Sequence, residues 1–325
     1  MLKHCLILLM ACMPLFADSY SMNRPDAHGP IGVMADHKHH QNNVMVSYRA
    51  MPMTMSTLVN GKETVSLDSV QSNYMMSPKD MQMTMHMVGA MWGYSNNITL
   101  TAMLGYSENG MTMINKMNQT SEMNSSGLND LNVGAIVDLN KTKNSKTIAN
   151  IGVSLPIGSI EKENADGVHL PYGMQLGSGT YDVNLGLTRT YQFNDISVGT
   201  QISGLVRLGR NKLDYRLGNK YQGTSWVQKV WSRELSTSAR IAITGTTDIT
   251  GSNNTLTAMQ IGMSPMYNTN SGSLVSSLGV GVNYSPSFLD KTRIAGEIST
   301  PVSKDTNTLA LIADTSFTFG IQQSL

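Results

Sequence analysis

The side chains best suited to chemistry in this chain are thioethers and imidazoles, and both are concentrated in its first third. Of the 25 methionines, 21 lie at or before Met123, and six of the seven histidines lie at or before His86. Thioether sulfur suits Cu(I), whereas imidazole suits Cu(II). Binding or handling of copper or silver is therefore one hypothesis for the chain, with copper as the candidate cofactor.

The candidate metal ligands fall in two stretches, a polar segment with the run D-H-K-H-H and a later run M-Q-M-T-M-H-M. The predicted metal-site residues are His28, Asp36, His37, His39, His40, His86, Met83 and Met85. A solvated loop explains the histidine run equally well, because Lys38 interrupts it and the spacing is irregular.

The methionines of the second run alternate with polar residues. Met81, Met83, Met85 and Met87 occupy every second position, and Gln82, Thr84 and His86 lie between them. A period of two is typical of a β-strand whose faces meet different surroundings. Methionine is an adaptable apolar filler before it is a ligand. If this strand belongs to a membrane β-barrel, we expect the methionine face to contact lipid and His86 to face the barrel lumen. Metal binding by the methionines is the alternative.

The chain begins like an exported protein. Lys3 and His4 precede an apolar run at 5–16, and Ala17 offers a cleavage point, so residues 1–17 are predicted to be a signal peptide. Lipidation at Cys12 is the alternative. Both cysteines lie in this segment. Cleavage after Ala17 would exclude a disulfide scaffold and a thiolate metal site.

The composition favours a membrane barrel over other exported proteins. Charged residues make up 14% of the chain, the net charge is +1, and the mean hydropathy is −0.15. These values indicate neither a disordered acidic tail nor a nucleic-acid partner. After Phe16 we find no apolar run near the roughly 18 to 20 residues of a spanning helix. A barrel with a polar interior can have such a hydropathy.

Alternating segments separated by turn signals such as Asn60-Gly61 and Asn194-Asp195 continue along the chain. They predict an all-β fold, a single antiparallel transmembrane β-barrel of about 12 strands, within a range of about 10 to 14, over residues 44–325. Residues 65–76 and 256–267 are included among the strands. Residues 18–43 are expected in the barrel mouth or lumen, and 158–177 as a functional or capping loop. Aromatic residues near strand ends are expected to form interfacial girdles.

Three motifs carry a family resemblance: HGPIGVMADHKHH, MTMHMVGAMWGYSNNITL and LPYGMQLGSGTYD. With them the sequence resembles the bacterial family of outer-membrane barrels named after the meta-pathway of phenol degradation. The resemblance implies location in the bacterial outer membrane, with its lipid as a partner. It also implies transport of small solutes, hydrophobic or aromatic if the family name is a guide.

No enzyme signature stands out, since nucleophile-elbow, H-E-x-x-H and P-loop motifs are not found. We therefore predict a non-enzymatic barrel for passive passage or binding of a small solute or metal ion. Arg49, Arg189 and Arg207 are the predicted lumen residues, where they would form a charged constriction. Pairing with acidic residues such as Asp182 is the alternative role.

Overall fold

The computed structural model describes residues 24–325, so the predicted signal peptide and residues 18–23 lie outside the described part. Within it, no helix is long and apolar enough to cross a membrane. The strands, in chain order, are β1 (Val44–Gly61), β2 (Glu63–Thr64), β3 (Met76–Gly93), β4 (Ile98–Asn115), β5 (Thr120–Leu128), β6 (Leu131–Lys141), β7 (Ser145–Leu155), β8 (Tyr181–Gln192), β9 (Ile196–Leu208), β10 (Tyr215–Arg216), β11 (Lys220–Val230), β12 (Leu235–Thr246), β13 (Thr250–Gly251), β14 (Ser273–Tyr284) and β15 (Thr292–Ser324).

Eleven of these strands form one closed antiparallel ring. Its order is β1, β3, β4, β6, β7, β8, β9, β11, β12, β14 and β15, and β15 pairs back with β1. The short strands β2 and β5 extend β1 and β4 beside the ring, and β10 pairs with β13 in a separate two-stranded sheet. The predicted single antiparallel barrel is confirmed.

The 33-residue β15 contributes two arms to the ring. Residues 294–306 pair with β14, and residues 306–324 pair with β1. The arms also contact each other, because Thr300 Oγ1 donates to the Asp314 carbonyl and Ser316 Oγ to the Ser299 carbonyl. A ring in which every neighbouring pair is antiparallel needs an even number of strands. With the arms counted separately the chain crosses the wall twelve times, as predicted.

The two ends of the barrel differ. Short turns such as 94–97, 142–144 and 231–234 close one end, whereas the other end carries long connections that include 156–180 and 247–272. Outer-membrane barrels have short periplasmic turns and longer extracellular loops. This rule predicts that the short-turn end is the periplasmic end.

Two predicted strands are instead helical segments in the long connections. Helix α1 (Leu67–Asn73) replaces the strand expected at 65–76, and α2 (Ala258–Met263) followed by a 3-10 turn at Pro265–Tyr267 replaces that at 256–267. Ser66 caps α1, and a reciprocal capping box of Thr257 and Gln260 begins α2. Such caps satisfy the free backbone N–H groups of a first turn, which favours a helix over a strand.

The methionine face of the first strands lines the lumen, so our expectation that it contacts lipid is wrong. Val88 and Trp92 of β3 are 60% and 44% exposed, whereas Met81 is 4% exposed. On β4 Leu100 is exposed and Met111 is buried. Even-numbered positions of these strands therefore face outward, and odd-numbered positions face inward.

The expected aromatic girdle is only partly present. Tyr181, Tyr221, Trp231 and Phe319 are strongly exposed on the outer surface. Three other aromatic residues are buried instead: Tyr215, Trp226 and Tyr267.

Candidate functional site

The inward methionines of β1, β3, β4 and β5 are concentrated on one side of the lumen, and together they are here called the methionine wall. Its members are Met45, Met51, Met53, Met55, Met81, Met83, Met85, Met87, Met91, Met103, Met111, Met113 and Met123. In one row Met55 pairs with Met81, Met81 with Met111, and Met111 with Met123. Paired side chains have Cβ atoms about 4.5–5.5 Å apart. This row is therefore a continuous thioether surface across four strands.

The loop between β7 and β8 covers this wall at the long-loop end. Leu170 and Met174 pack in one hydrophobic cluster with Met81, Met111 and Met113, and Met174 is completely buried. The L-P-Y-G-M-Q-L-G-S-G-T-Y-D motif thus folds back onto the barrel mouth. We call residues 158–180 the cap.

One carboxylate fastens the two ends of the cap. Asp130 accepts hydrogen bonds from the backbone N–H of Gly158 (3.0 Å), the backbone N–H of Ser178 (2.8 Å) and Ser178 Oγ (2.9 Å). Gly177 lies so close to Gly158 that a Cβ on it would be 2.4 Å from the Gly158 carbonyl oxygen. Only a residue without a side chain fits there.

The three arginines predicted for the lumen have different positions. Arg207 faces inward and pairs with buried Asp182 at 2.6 Å. Arg49 also faces inward, where its guanidinium contacts the Met34 sulfur. Arg189 lies on the outward face of β8, with its guanidinium carbon 4.9 Å from the centre of the Tyr191 ring. In contrast to the prediction, Arg189 is therefore not in the lumen.

Residues 24–43, here called the N-terminal segment, lie inside the ring near the short-turn end. Their backbone carbonyls accept hydrogen bonds from inward side chains on four strands. These donors are Gln201, Gln228, Ser236 and Arg293. At its far end, Lys38 forms an ion pair with Asp138 of β6 at 2.9 Å. The polar part of the lumen wall thus replaces water for this segment.

Three imidazoles of the N-terminal segment meet in one buried cluster. The ring centroids of His28 and His37 are 3.9 Å apart, and those of His37 and His39 are 5.1 Å apart. Asp36 lies behind His37, whose Nδ1 is 2.9 Å from the Asp36 Oδ1. Ligand atoms of His28, Asp36 and His37 all lie within 4.8 Å of one another.

Each imidazole of this cluster has one nitrogen without a hydrogen-bond partner among residues 24–325. These atoms are Nδ1 of His28, Nε2 of His37 and Nε2 of His39, and all three are buried. Burial lowers the pKa of His28 well below its usual value and the pKa of His39 to about 3. Both rings are therefore neutral at physiological pH, the form in which imidazole binds a metal.

The charges around Asp36 keep it ionised. Burial acts to raise its pKa, but the neighbouring His37, which also forms a hydrogen bond to it, and Arg293 lower it below the usual range of a carboxylic acid. The result is a buried carboxylate that accepts from His37 and, at 2.5 Å, from the backbone N–H of Gly29.

The remaining predicted metal ligands lie elsewhere. His40 is exposed at the end of the N-terminal segment. His86 is on the outward face of β3, where its Nδ1 is 2.6 Å from the Tyr48 hydroxyl, so it does not face the lumen as expected. Met83 and Met85 belong to the methionine wall. The structure therefore brings together His28, Asp36, His37 and His39.

Sequence reasoning missed two residues of these sites. Asp130 holds the cap, and Arg293 donates to the Gly29 carbonyl at 2.7 Å beside the imidazole cluster. Neither belongs to a motif or a periodic pattern that a single sequence would reveal.

Comparison with known protein families identifies the family of this chain. Residues 80–288 match the family model described as "Putative MetA-pathway of phenol degradation". The chain belongs to this family. Its membership and its barrel fold place the protein in the bacterial outer membrane. Among curated proteins, none matches the chain.

This family member is also similar to solved structures of outer-membrane proteins. An outer membrane channel from Pseudomonas putida F1 has a TM-score of 0.65 at 9% identity, covering 89% of this chain and 98% of the channel. The β domain of the Bordetella autotransporter BrkA has a TM-score of 0.45 at 12% identity, covering 87% of this chain and 100% of that domain. The KdgM porin has a TM-score of 0.41 at 8% identity, covering 86% of this chain and 99% of the porin. At such identities, the first likeness supports the fold and nothing more.

Proposed function

We propose that the protein is a channel through which small hydrophobic or aromatic solutes cross the outer membrane passively. The observation that carries this proposal is the methionine wall, a thioether surface along one side of the lumen from Met45 near the short-turn end to Met113 under the cap. Sulfur–aromatic contacts contribute about 0.3–1.5 kcal/mol each. An aromatic solute would gain such contacts at several positions along the wall.

The opposite side of the lumen is polar. Thr188, Gln201, Thr224 and Gln228 are buried on the inward faces of β8, β9 and β11. A solute with an aromatic ring and one hydroxyl group could contact both sides at once, as small-molecule sites generally combine apolar walls with a few polar groups.

Access to this lumen is set by the cap and the N-terminal segment. The cap packs on the wall at the extracellular end through Leu170 and Met174, and the N-terminal segment bonds to the polar wall at the other end. We infer that a solute enters when one of these two segments moves, because each occupies the lumen at its own end.

The test is solute flux into liposomes that contain the folded barrel. Phenol is expected to enter faster than a sugar of comparable size, relative to protein-free liposomes. The double variant Met53→Gln/Met83→Gln, which keeps side-chain length but makes one row of the wall polar, should slow phenol selectively. Met75→Gln/Met117→Gln is the matched control, because these methionines are 65% and 75% exposed. Equal phenol flux with and without protein would overturn the proposal.

A second candidate function is handling of Cu(I) or Ag(I) by the same wall. The row Met55, Met81, Met111 and Met123 favours it, because soft monovalent ions bind thioethers. Leucine substitution in this row separates the two candidates, since leucine keeps the apolar surface but removes sulfur. Loss of Ag(I) binding with phenol flux retained would favour metal handling by the wall, whereas unchanged Ag(I) binding would exclude it.

A further inference from the structure

We propose that the N-terminal segment contains a transition-metal site in which His28 and His37, with Asp36 beside them, bind one divalent ion, with Cu(II) as the preferred metal. The site is separate from the methionine wall and does not depend on the passage of solutes. Its basis is the group of ligand atoms of His28, Asp36 and His37, which lie within 4.8 Å of one another, together with the buried, unpartnered nitrogens of His28 and His37.

The first step concerns the unpaired nitrogens. Nδ1 of His28, Nε2 of His37 and Nε2 of His39 have no hydrogen-bond partner within residues 24–325, and the His37 and His39 residues are only 2% and 8% exposed. A buried polar atom left unsatisfied costs about 1–3 kcal/mol. Buried polar groups are normally hydrogen-bonded, so three orphans in one cluster need an explanation. A metal ion bound between His28 and His37 would satisfy two of them.

The second step concerns orientation. His37 Nδ1 is held by the Asp36 carboxylate at 2.9 Å, which leaves its Nε2 as the free lone pair when Nδ1 carries the proton. The Gly29 N–H in turn fixes Asp36 at 2.5 Å. Metal-binding histidines usually donate their second N–H to a carboxylate in this way. Asp36 therefore acts as a positioning residue for His37.

The third step concerns the chain that brings the ligands together. A turn closed by the Val33 N–H and the Pro30 carbonyl (2.8 Å) folds the segment back, so that His28 meets His37. In extended chain, residues two apart project to the same side. This places His39 on the side of His37, and leaves the adjacent His40 exposed.

The donor set indicates the metal. Imidazoles with a neighbouring carboxylate and no thiolate suit Cu(II), Zn(II) or Ni(II), and affinity among divalent ions is highest for Cu(II). Arg293 and Arg49 place positive charge near the cluster, and Asp36 offsets part of it. We expect one ion per chain.

The experiment is a Cu(II) titration of the full folded chain in detergent, followed by calorimetry and electron paramagnetic resonance. The expected result is one bound Cu(II) with hyperfine splitting from imidazole nitrogens. His37→Ala should weaken binding at least 100-fold, and Asp36→Asn should weaken it about 10- to 100-fold, as loss of a supporting carboxylate does at other metal sites. His40→Ala is the matched control and should change neither affinity nor spectrum.

Several results would overturn this site. They are no Cu(II) binding by the wild type, an unchanged nitrogen spectrum in His37→Ala, and an equal loss in His40→Ala. Should His37→Ala fail to fold, as judged by its migration on unheated gels, His28→Ala provides the second variant with the same expected loss. Phenol flux through the His37→Ala barrel is expected to persist, so failure of the metal site and failure of the channel are distinguishable.

Discussion

Replacing Asp130 with alanine should loosen the cap without unfolding the barrel. Asp130 lies between β5 and β6 and accepts three hydrogen bonds from Gly158 and Ser178, at the two ends of the cap. A hydrogen bond to a charged group contributes about 1.5–3 kcal/mol. Because the site is partly exposed, water replaces some of these contacts, and we expect a net loss of about 3 kcal/mol from the closed cap. That loss corresponds to a roughly 100-fold larger open population.

Limited proteolysis with trypsin measures this opening. Lys162 is held inside the cap, since its N–H donates to Gln175 Oε1 and its carbonyl accepts from the Leu170 N–H. Cleavage after Lys162 therefore requires the cap to open, and its rate follows the open population when opening is fast. We expect cleavage about 100-fold faster in Asp130→Ala.

The control is Asp166→Asn, a change to an exposed carboxylate in the same loop. It should leave the cleavage rate unchanged. A rate in Asp130→Ala within about threefold of the wild type would refute the assignment of Asp130 as the anchor of the cap, because threefold corresponds to less than about 1 kcal/mol.

Two further predictions concern the stability of the folded barrel in detergent, measured by urea unfolding. Met113→Ala should cost about 2–5 kcal/mol, because Met113 is 1% exposed in the cluster under the cap, whereas Met117→Ala, 75% exposed, should cost less than about 0.5 kcal/mol. Equal costs would contradict the inward position of the wall. Arg207→Ala should cost about 3–5 kcal/mol, because it leaves Asp182 buried and unpaired, whereas Arg210→Ala removes an exposed pair that contributes at most about 1 kcal/mol. A small effect at Arg207 would show that this pair is solvated.

The alternation of apolar and polar residues predicted the strands in the first third of the chain. It did not predict which face of each strand turns toward the lumen. A period of two distinguishes two faces and leaves their orientation open. We assumed that polar residues face the lumen. In the 18-residue β3, however, the outward residues Gln82, Thr84 and His86 lie in the half toward the long loops, and Val88 and Trp92 lie in the other half. A transmembrane strand needs only about 9 to 11 residues. The outward polar half therefore extends beyond the apolar belt.

The sequence could predict which types of residue form the candidate sites, but it could not predict how these residues are arranged in space. The histidine run was visible in the sequence, but the meeting of His28 with His37 depends on an irregular turn and on hydrogen bonds from distant strands. Arg189 and Arg207 were equivalent as isolated charges. Their opposite orientations follow from strand register, which places Arg207 opposite Asp182 across β8 and β9.

The closing ladder between β1 and β15 has a consequence for the order of assembly. It joins Met45 to Ser324, about 280 residues apart, and the Leu325 N–H donates to the Val44 carbonyl at 2.7 Å. Closing so long a loop costs about 5 kcal/mol of chain entropy, which only the completed ladder repays. Before that point β1 and the last arm of β15 are open sheet edges, and each unpaired backbone group in hydrocarbon costs several kcal/mol. The seam must therefore form last and at once, so removal of even the final few residues should block insertion of a barrel whose other strands are intact.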